Sequence, residues 1–297
     1  MSESVVLVAG SLHYDIMVEA DHLPRLDETA VGTRWYPKFG GKGGNQAVSA
    51  AKHGARARMV GAVGDDAFGA FLRENLRAGG VDDRFVRLIP GVGSGMSVAL
   101  MNGDGDYAAT IVSGANMAIR VADLAQPQVW QDVGLLILQN EMPEAANIAA
   151  AVQAKERGIR IVLNAAPYRA MSGELTALVD ILVVNAVEAE MMGAGKVSSL
   201  PLAAEAARKL AERCESVIVT AGSLGLAAFA GVEHLLVLPA EKVKAVSAHG
   251  AGDAFIGALG AALVRGADLD AACRAASAAA ARHVAGLGEM PETAPFR

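Results

Sequence analysis

The segment Gly250-Ala251-Gly252-Asp253 opens the helical pattern Ala254–Arg265 and joins two features that belong to one kind of chemistry. Three small residues let backbone approach a ligand closely, and a helix start leaves amide N–H groups without partners. Such an end attracts anions through its amides and its positive dipole end. A carboxylate there would repel the anion unless it has a task of its own. Asp253 as a proton acceptor from a hydroxyl resolves the conflict, with the amides of residues 250–253 holding charge on a transferring phosphoryl group. The plainer alternative is a first-turn Asp that only stabilises its helix.

A second stretch, Phe39-Gly40-Gly41-Lys42-Gly43-Gly44-Asn45-Gln46, carries four glycines in five positions around one lysine. Backbone of that kind can wrap a small polar ligand. The Ala-rich run after it predicts a helix that Gly54 stops. The Gly-Lys-Ser/Thr order of a phosphate loop is absent, and a flexible turn before a helix is the competing reading.

The elements that must position these residues follow from periodicity. Val5–Ala9, Met59–Val63, Leu135–Leu138, Ile159–Leu163, Ile181–Val184 and Val217–Thr220 predict buried strands. Ala67–Ala78, Glu144–Arg157, Leu175–Val179 and Ala203–Arg213 predict the helices between them. This alternation is that of a layered α/β fold with a mainly parallel sheet. Ligands of such sheets gather at the carboxyl ends of strands, where Asp15, Glu141, Asn164, Asn185 and Thr220 fall. Met96–Met101 and Tyr107–Val112 flank Asn102-Gly103-Asp104-Gly105-Asp106, a hairpin signal, and residues 15–20 and 29–38 form a second strand pair. A small sheet of this kind needs its apolar face covered.

Composition narrows the class. At 297 residues, hydrophobic residues make up 53% and aromatics 4%, so Ala, Val, Leu and Gly must do the packing. A net charge of −6 without a basic stripe argues against nucleic-acid binding. The Ala-rich region 254–287 is interrupted by Arg265, Asp268, Asp270, Arg274 and Arg282, which predicts two packed helices and no membrane span. Met1–Ser4 lacks a secretory pattern, and Cys214 and Cys273 have no metal-ligand spacing, which together predict a reduced, cytoplasmic protein. Residues 289–297 read as a loosely held tail.

In this order along the chain, the motifs resemble the signature regions of the ribokinase family, the phosphofructokinase-B-like carbohydrate kinases. The resemblance implies a three-layer α/β/α kinase fold over residues 1–297, with a small β-sheet lid formed by segments of about 12–38 and 93–112. It implies transfer of the γ-phosphoryl group of ATP to a sugar's primary hydroxyl, with Asp253 as base beside Gly250, Ala251 and Gly252. The sugar side falls to His13, Asp15, Gly40, Gly41, Lys42, Asn45 and Glu141. The nucleotide side falls to Asn185, Glu188, Thr220, Gly222 and Gly225, with Glu188 acting on Mg2+ indirectly. It also implies a homodimer joined through the lids.

The chain departs from the family pattern at two places. Ser247-Ala248-His249 stands where Asp-Thr-x is common, and that Asp helps hold an activating monovalent cation. Ser247 puts potassium dependence in question, with Glu292 a replacement charge if the tail folds back. His13 replaces a customary Asn, with the bulky Tyr14 after it. The substrate therefore stays open among ribose, fructose, a nucleoside and a sugar acid. Arg34 and Lys38 would serve an acid, and Tyr14, Trp35 and Met101 could form a slot for a base. A non-catalytic sugar binder is the remaining alternative, and an intact Asp253 weighs against it.

Overall fold

The computed structural model describes residues 4–103, 107–231 and 233–287. Hydrophobic runs become strands β1 (Val5–Ala9), β2 (His13–Ala20), β3 (Gly32–Gly40), β4 (Arg56–Gly64), β5 (Val81–Ile89), β6 (Met96–Met101) and β7 (Tyr107–Val112). They continue as β8 (Val133–Gln139), β9 (Arg160–Asn164), β10 (Ile181–Asn185), β11 (Ser216–Thr220), β12 (Gly225–Ala230) and β13 (His234–Pro239). The α-helices are α1 (Lys42–Lys52), α2 (Ala67–Ala78), α3 (Val121–Leu124), α4 (Glu144–Lys155), α5 (Gly173–Leu178), α6 (Ala186–Met191), α7 (Leu200–Leu210), α8 (Ala251–Val264) and α9 (Leu269–Val284).

The large sheet runs β13-β12-β11-β10-β9-β8-β1-β4-β5 and is parallel except for the antiparallel pairings of β12 and β13. Its central strands are buried on both faces, which is why they read as continuous apolar runs. One face packs Leu7, Leu136, Leu138 and Leu163 against α4, α5 and α7. The other packs Val6, Val8, Ile137 and Val183 against α1, α2, α8 and α9. The result is the expected three-layer α/β/α architecture.

The second sheet, β3-β2-β6-β7, is the lid. β6 and β7 pair antiparallel from Met96↔Val112 to Met101↔Tyr107, as the hairpin signal predicts, while residues 104–106 of its turn lie outside the described residues. β3 starts at Gly32, not at residue 29. A local turn delays it: Glu28 accepts from the Arg25 amide and donates its own amide to the Arg25 carbonyl, with Asp27 at φ 62°. Sequence periodicity misses β5, whose charged residues interrupt its apolar pattern, and the β12–β13 hairpin, where alanines weaken the strand signal.

Two contacts bring the functional segments together. α1 begins at Lys42, so Gly43 and Gly44 belong to its first turns and not to a ligand-wrapping loop. A Cβ on Gly43 would stand 2.6 Å from the Ser11 amide nitrogen, so glycine is what lets α1 seat against the end of β1. A Cβ on Gly257 would stand 2.4 Å from Ser49 Cβ, and Ser49 Oγ donates to the Ala254 carbonyl at 2.9 Å. α1 is thereby held side by side with the first turns of α8. No helix among the described residues is long and apolar enough to cross a membrane.

Candidate active site

α8 starts at Ala251 behind Gly250, whose φ of 82° is left-handed and suits glycine. No side chain caps this end. The Ala251 amide donates to the Ala248 carbonyl at 3.3 Å, leaving the amides of Gly250, Gly252 and Asp253 without a partner among the described residues. The cradle is thus three amides, one fewer than the sequence suggests.

Asp253 is buried beside it. Its Oδ1 accepts from Gln46 Nε2 at 2.9 Å and its Oδ2 from Asn45 Nδ2 at 3.2 Å. Burial raises the Asp253 pKa, opposed by the Lys42 charge and then by these two amides. Gln46 also donates to Asn164 Oδ1 at 3.1 Å and accepts from Gln139 Nε2 at 2.8 Å. With three polar contacts engaged, its amide has one orientation only. Sequence reasoning assigns no role to Gln46 or Gln139. The available signal was a polar residue closing the apolar run of β8.

On the lid side, Asp15 lies in β2 opposite Lys38 of β3 and accepts from Ser97 Oγ at 2.5 Å. Burial raises its pKa, with the Ser97 bond working the other way. Gly40 is required here because a Cβ would stand 1.9 Å from Asp15 Oδ2. Gly41, the residue before α1 with φ 86°, has no room either, its Cβ falling 2.7 Å from the His13 amide nitrogen. Glu141, just past β8, accepts from Ser11 Oγ at 2.5 Å and from the Lys42 amide at 2.9 Å. Its charge pushes up both Asp15 and Asp253, so the three carboxylates share one field. His13 is buried, and its Nε2 has no partner among the described residues.

A cleft of about 200 Å3 gathers Lys42, Asn185, Glu188, Thr220, Gly252 and Asp253. Asn185 and Glu188 form a reciprocal capping box on α6: Asn185 Oδ1 accepts from the Glu188 amide and Glu188 Oε2 from the Asn185 amide, both at 2.8 Å. The Asn-x-x-Glu element therefore has a structural task, and both of its end residues also line the cleft. Burial raises the Glu188 pKa against its amide bond and Lys42. Gly222 and Gly225 do not line this cleft. Gly225 (φ 121°) sits against β13, where a Cβ would meet the Leu238 carbonyl oxygen at 2.1 Å, whereas a Cβ on Gly222 would meet nothing within 4 Å.

The structure also places the other residues singled out in the sequence. Tyr14 is buried and stacks on Phe68 at 4.0 Å between ring centroids, with Phe71 edge-on, so its ring face is not open to a base. Arg34 lies over the Tyr36 ring and pairs with Glu19. Ser247 Oγ accepts from the His249 amide at 3.2 Å, while Glu292 lies outside the described residues, as does the tail at 289–297. Both cysteines are buried and free, with burial pushing the thiols up to about 11 for Cys214 and about 12 for Cys273.

The chain is similar to known proteins over most of its length. The model of the pfkB family carbohydrate kinases matches residues 4–292. The chain is similar to ribokinase of Mus musculus, with 35% identity covering 86% of this chain and 80% of the relative. It is similar to ribokinase of Bacillus subtilis, with 34% identity covering 95% and 94%. The structure of Arabidopsis thaliana ribokinase complexed with ribose and ATP superposes with a TM-score of 0.87 at 30% identity, covering 95% of this chain and 92% of that one. A site with a buried carboxylate beside a helix start, on this fold and with these relatives, makes the chain a member of the pfkB family of carbohydrate kinases and an ATP-dependent sugar kinase of the ribokinase-like kind.

Proposed function

We propose that the chain phosphorylates the primary hydroxyl of a pentose, ribose first among them, with Asp253 as the base. The observation that carries this reading is Asp253 itself: buried, gripped by Asn45 and Gln46, and in one cleft with Lys42 and Glu188. Asp253 takes the hydroxyl proton as the sugar oxygen bonds to the γ-phosphorus and the bond to the β-phosphate oxygen breaks, releasing ADP. The amides of Gly250, Gly252 and Asp253 stabilise the charge spread over the phosphoryl oxygens, and Lys42 adds a positive charge at the same place. Asp15 and Glu141 accept from sugar hydroxyls, and the unpartnered His13 Nε2 gains a partner when the sugar binds. The names of the ribokinases that the chain resembles support ribose as the first substrate to try.

Mg2+ fits the residues present. It binds few protein ligands and keeps its waters and phosphate oxygens, and of the two carboxylates that line the cleft Asp253 is held by Asn45 and Gln46, which leaves Glu188. Among the described residues no cluster of His, Cys, Asp and Glu forms a full protein cage. Bound with ATP, Mg2+ would neutralise charge on the phosphates, and Glu188 would act on it through water. The exposed Trp35, Ile111 and Val112 of the lid support dimerisation through that sheet, and two free buried thiols suit a reducing cytoplasm. An ADP-release assay with Mg-ATP over pentoses, hexoses, nucleosides and sugar acids tests the reading. Ribose should lead, and preference for a nucleoside or a sugar acid would refute it.

A further inference from the structure

The peptide between His249 and Gly250 presents the first amide of the cradle, and it is held from outside the site. His283, in the last turn of α9, places Nε2 2.8 Å from the His249 carbonyl oxygen. The preceding backbone is tied to the same turn: the amides of Val246 and Ser247 both reach the Val284 carbonyl, at 2.7 and 3.3 Å. A trans peptide is planar with C=O and N–H pointing opposite ways, so fixing the His249 oxygen also aims the Gly250 N–H. Gly250 is closely matched to this contact, since a Cβ there would stand 3.2 Å from His283 Nε2.

We infer that His283 is a positioning residue for phosphoryl transfer, which orients the Gly250 amide by donating from Nε2 to the His249 carbonyl. The inference rests on the reading of Gly250–Asp253 as the anion cradle. His283 touches neither the cleft residues' reacting groups nor Asp253; it acts through one peptide plane. Without the bond, Val246 and Ser247 stay anchored, but the 249–250 peptide is free to rotate. A donor placed where charge develops affects the transition state more than the ground state, so loss of its aim appears in kcat.

The test is steady-state kinetics of H283L, H283Q and H283N beside the parent and D253N. Glutamine carries an N–H donor at about the reach of Nε2; leucine has none, and asparagine is one methylene shorter. H283L and H283N should lose about tenfold or more in kcat with the sugar KM unchanged, and H283Q should recover most of the loss. Should H283L not fold, H283N and H283Q decide alone. Parent-like kcat in H283L or H283N, or equal loss in all three variants, overturns the assignment. An active D253N would instead overturn the reading of the cradle and its base, which keeps the two failures apart.

Discussion

Gln46 Nε2 donates to Asp253 Oδ1 at 2.9 Å while its other amide hydrogen goes to Asn164 and its oxygen is taken by Gln139. The bond couples the tuning of Asp253, the proposed base, to a buried network at the ends of β8 and β9. Burial raises the Asp253 pKa, and Gln46 opposes that rise by favouring the charged form. A base works only when deprotonated, so activity falls on the acid side at a pH above the ordinary carboxylate value. Q46L removes an opposing influence and should move that acid limb further up. A pH–rate profile reads it directly, and an unmoved limb would separate Gln46 from the titration.

The base itself has a sharper expectation. D253N keeps the side-chain shape and removes proton acceptance, so kcat should fall by about 10²–10⁴-fold. Sugar affinity should stay near the parent's, because the loss concerns the transition state. Turnover within a few-fold of the parent would remove Asp253 from this role.

Gly40 gives a test of the proposed sugar side that removes no polar group. Its α-hydrogen points at Asp15 Oδ2, and a Cβ would come within 1.9 Å of that oxygen. G40A must therefore displace the carboxylate. Charge-assisted bonds are worth about 1.5–3 kcal/mol each, so sugar affinity should fall by about tenfold or more in G40A and in D15A, with ATP affinity much less changed. Calorimetry in which both ligands weaken equally would show a general collapse of the site, against this assignment.

How much of this was legible in the sequence depends on what each residue does locally. Parallel strands announce themselves because both faces are buried, while α7, expected over Ala203–Arg213, starts earlier at Leu200 because Ser199 caps it and Pro201 fits its first turn. The order of motifs along the chain put Asp253, Asp15 and Glu141 forward as candidate site residues. Gln46 was not legible, because its importance comes from β8 and β9 arriving at its amide, a contact 93 to 118 residues away in the chain. The glycines misled in a specific way. Gly43 and Gly257 are small so that helices can close on β1 and on α1, and Gly225 lets two strands meet. A string of letters shows a flexible residue where the fold needs a thin one.

Stability has its own anchor away from the site. Arg58 is buried, with Nε on Asp82 Oδ2 at 3.0 Å and Nη1 on the Val129 and Gln131 carbonyls at 2.8 and 2.9 Å. R58L would leave these acceptors and the Gln128 carbonyl without it, at a cost of about 3 kcal/mol, the low end for a broken buried pair because Asp82 stays partly solvated. Asp82 is held well below the usual carboxylate range, first by Arg84 and also by Arg58. A lowered folded pKa contributes stability above the ordinary carboxylate pKa and loses it as pH falls. Thermal melts should show R58L below the parent at neutral pH, with the gap narrowing toward acid. A constant gap would mean that Arg58 acts through the carbonyls alone.

Potassium dependence turns on Ser247. A monovalent cation gathers several oxygens, and a carboxylate supplies the strongest attraction among them. Ser247 offers only a hydroxyl, and its Oγ already accepts from the His249 amide at 3.2 Å. The segment around it is fixed by protein contacts, with the Val246 and Ser247 amides on Val284 and the His249 carbonyl on His283. Those bonds supply the order that a bound ion would otherwise impose. Initial rates in potassium and in tetramethylammonium at equal ionic strength should therefore differ little. A comparison of the parent with S247D sharpens the test, since restoring the carboxylate should restore potassium sensitivity. Stimulation of the parent by more than about tenfold would show that neutral oxygens alone hold the ion and that the missing carboxylate does not decide its binding.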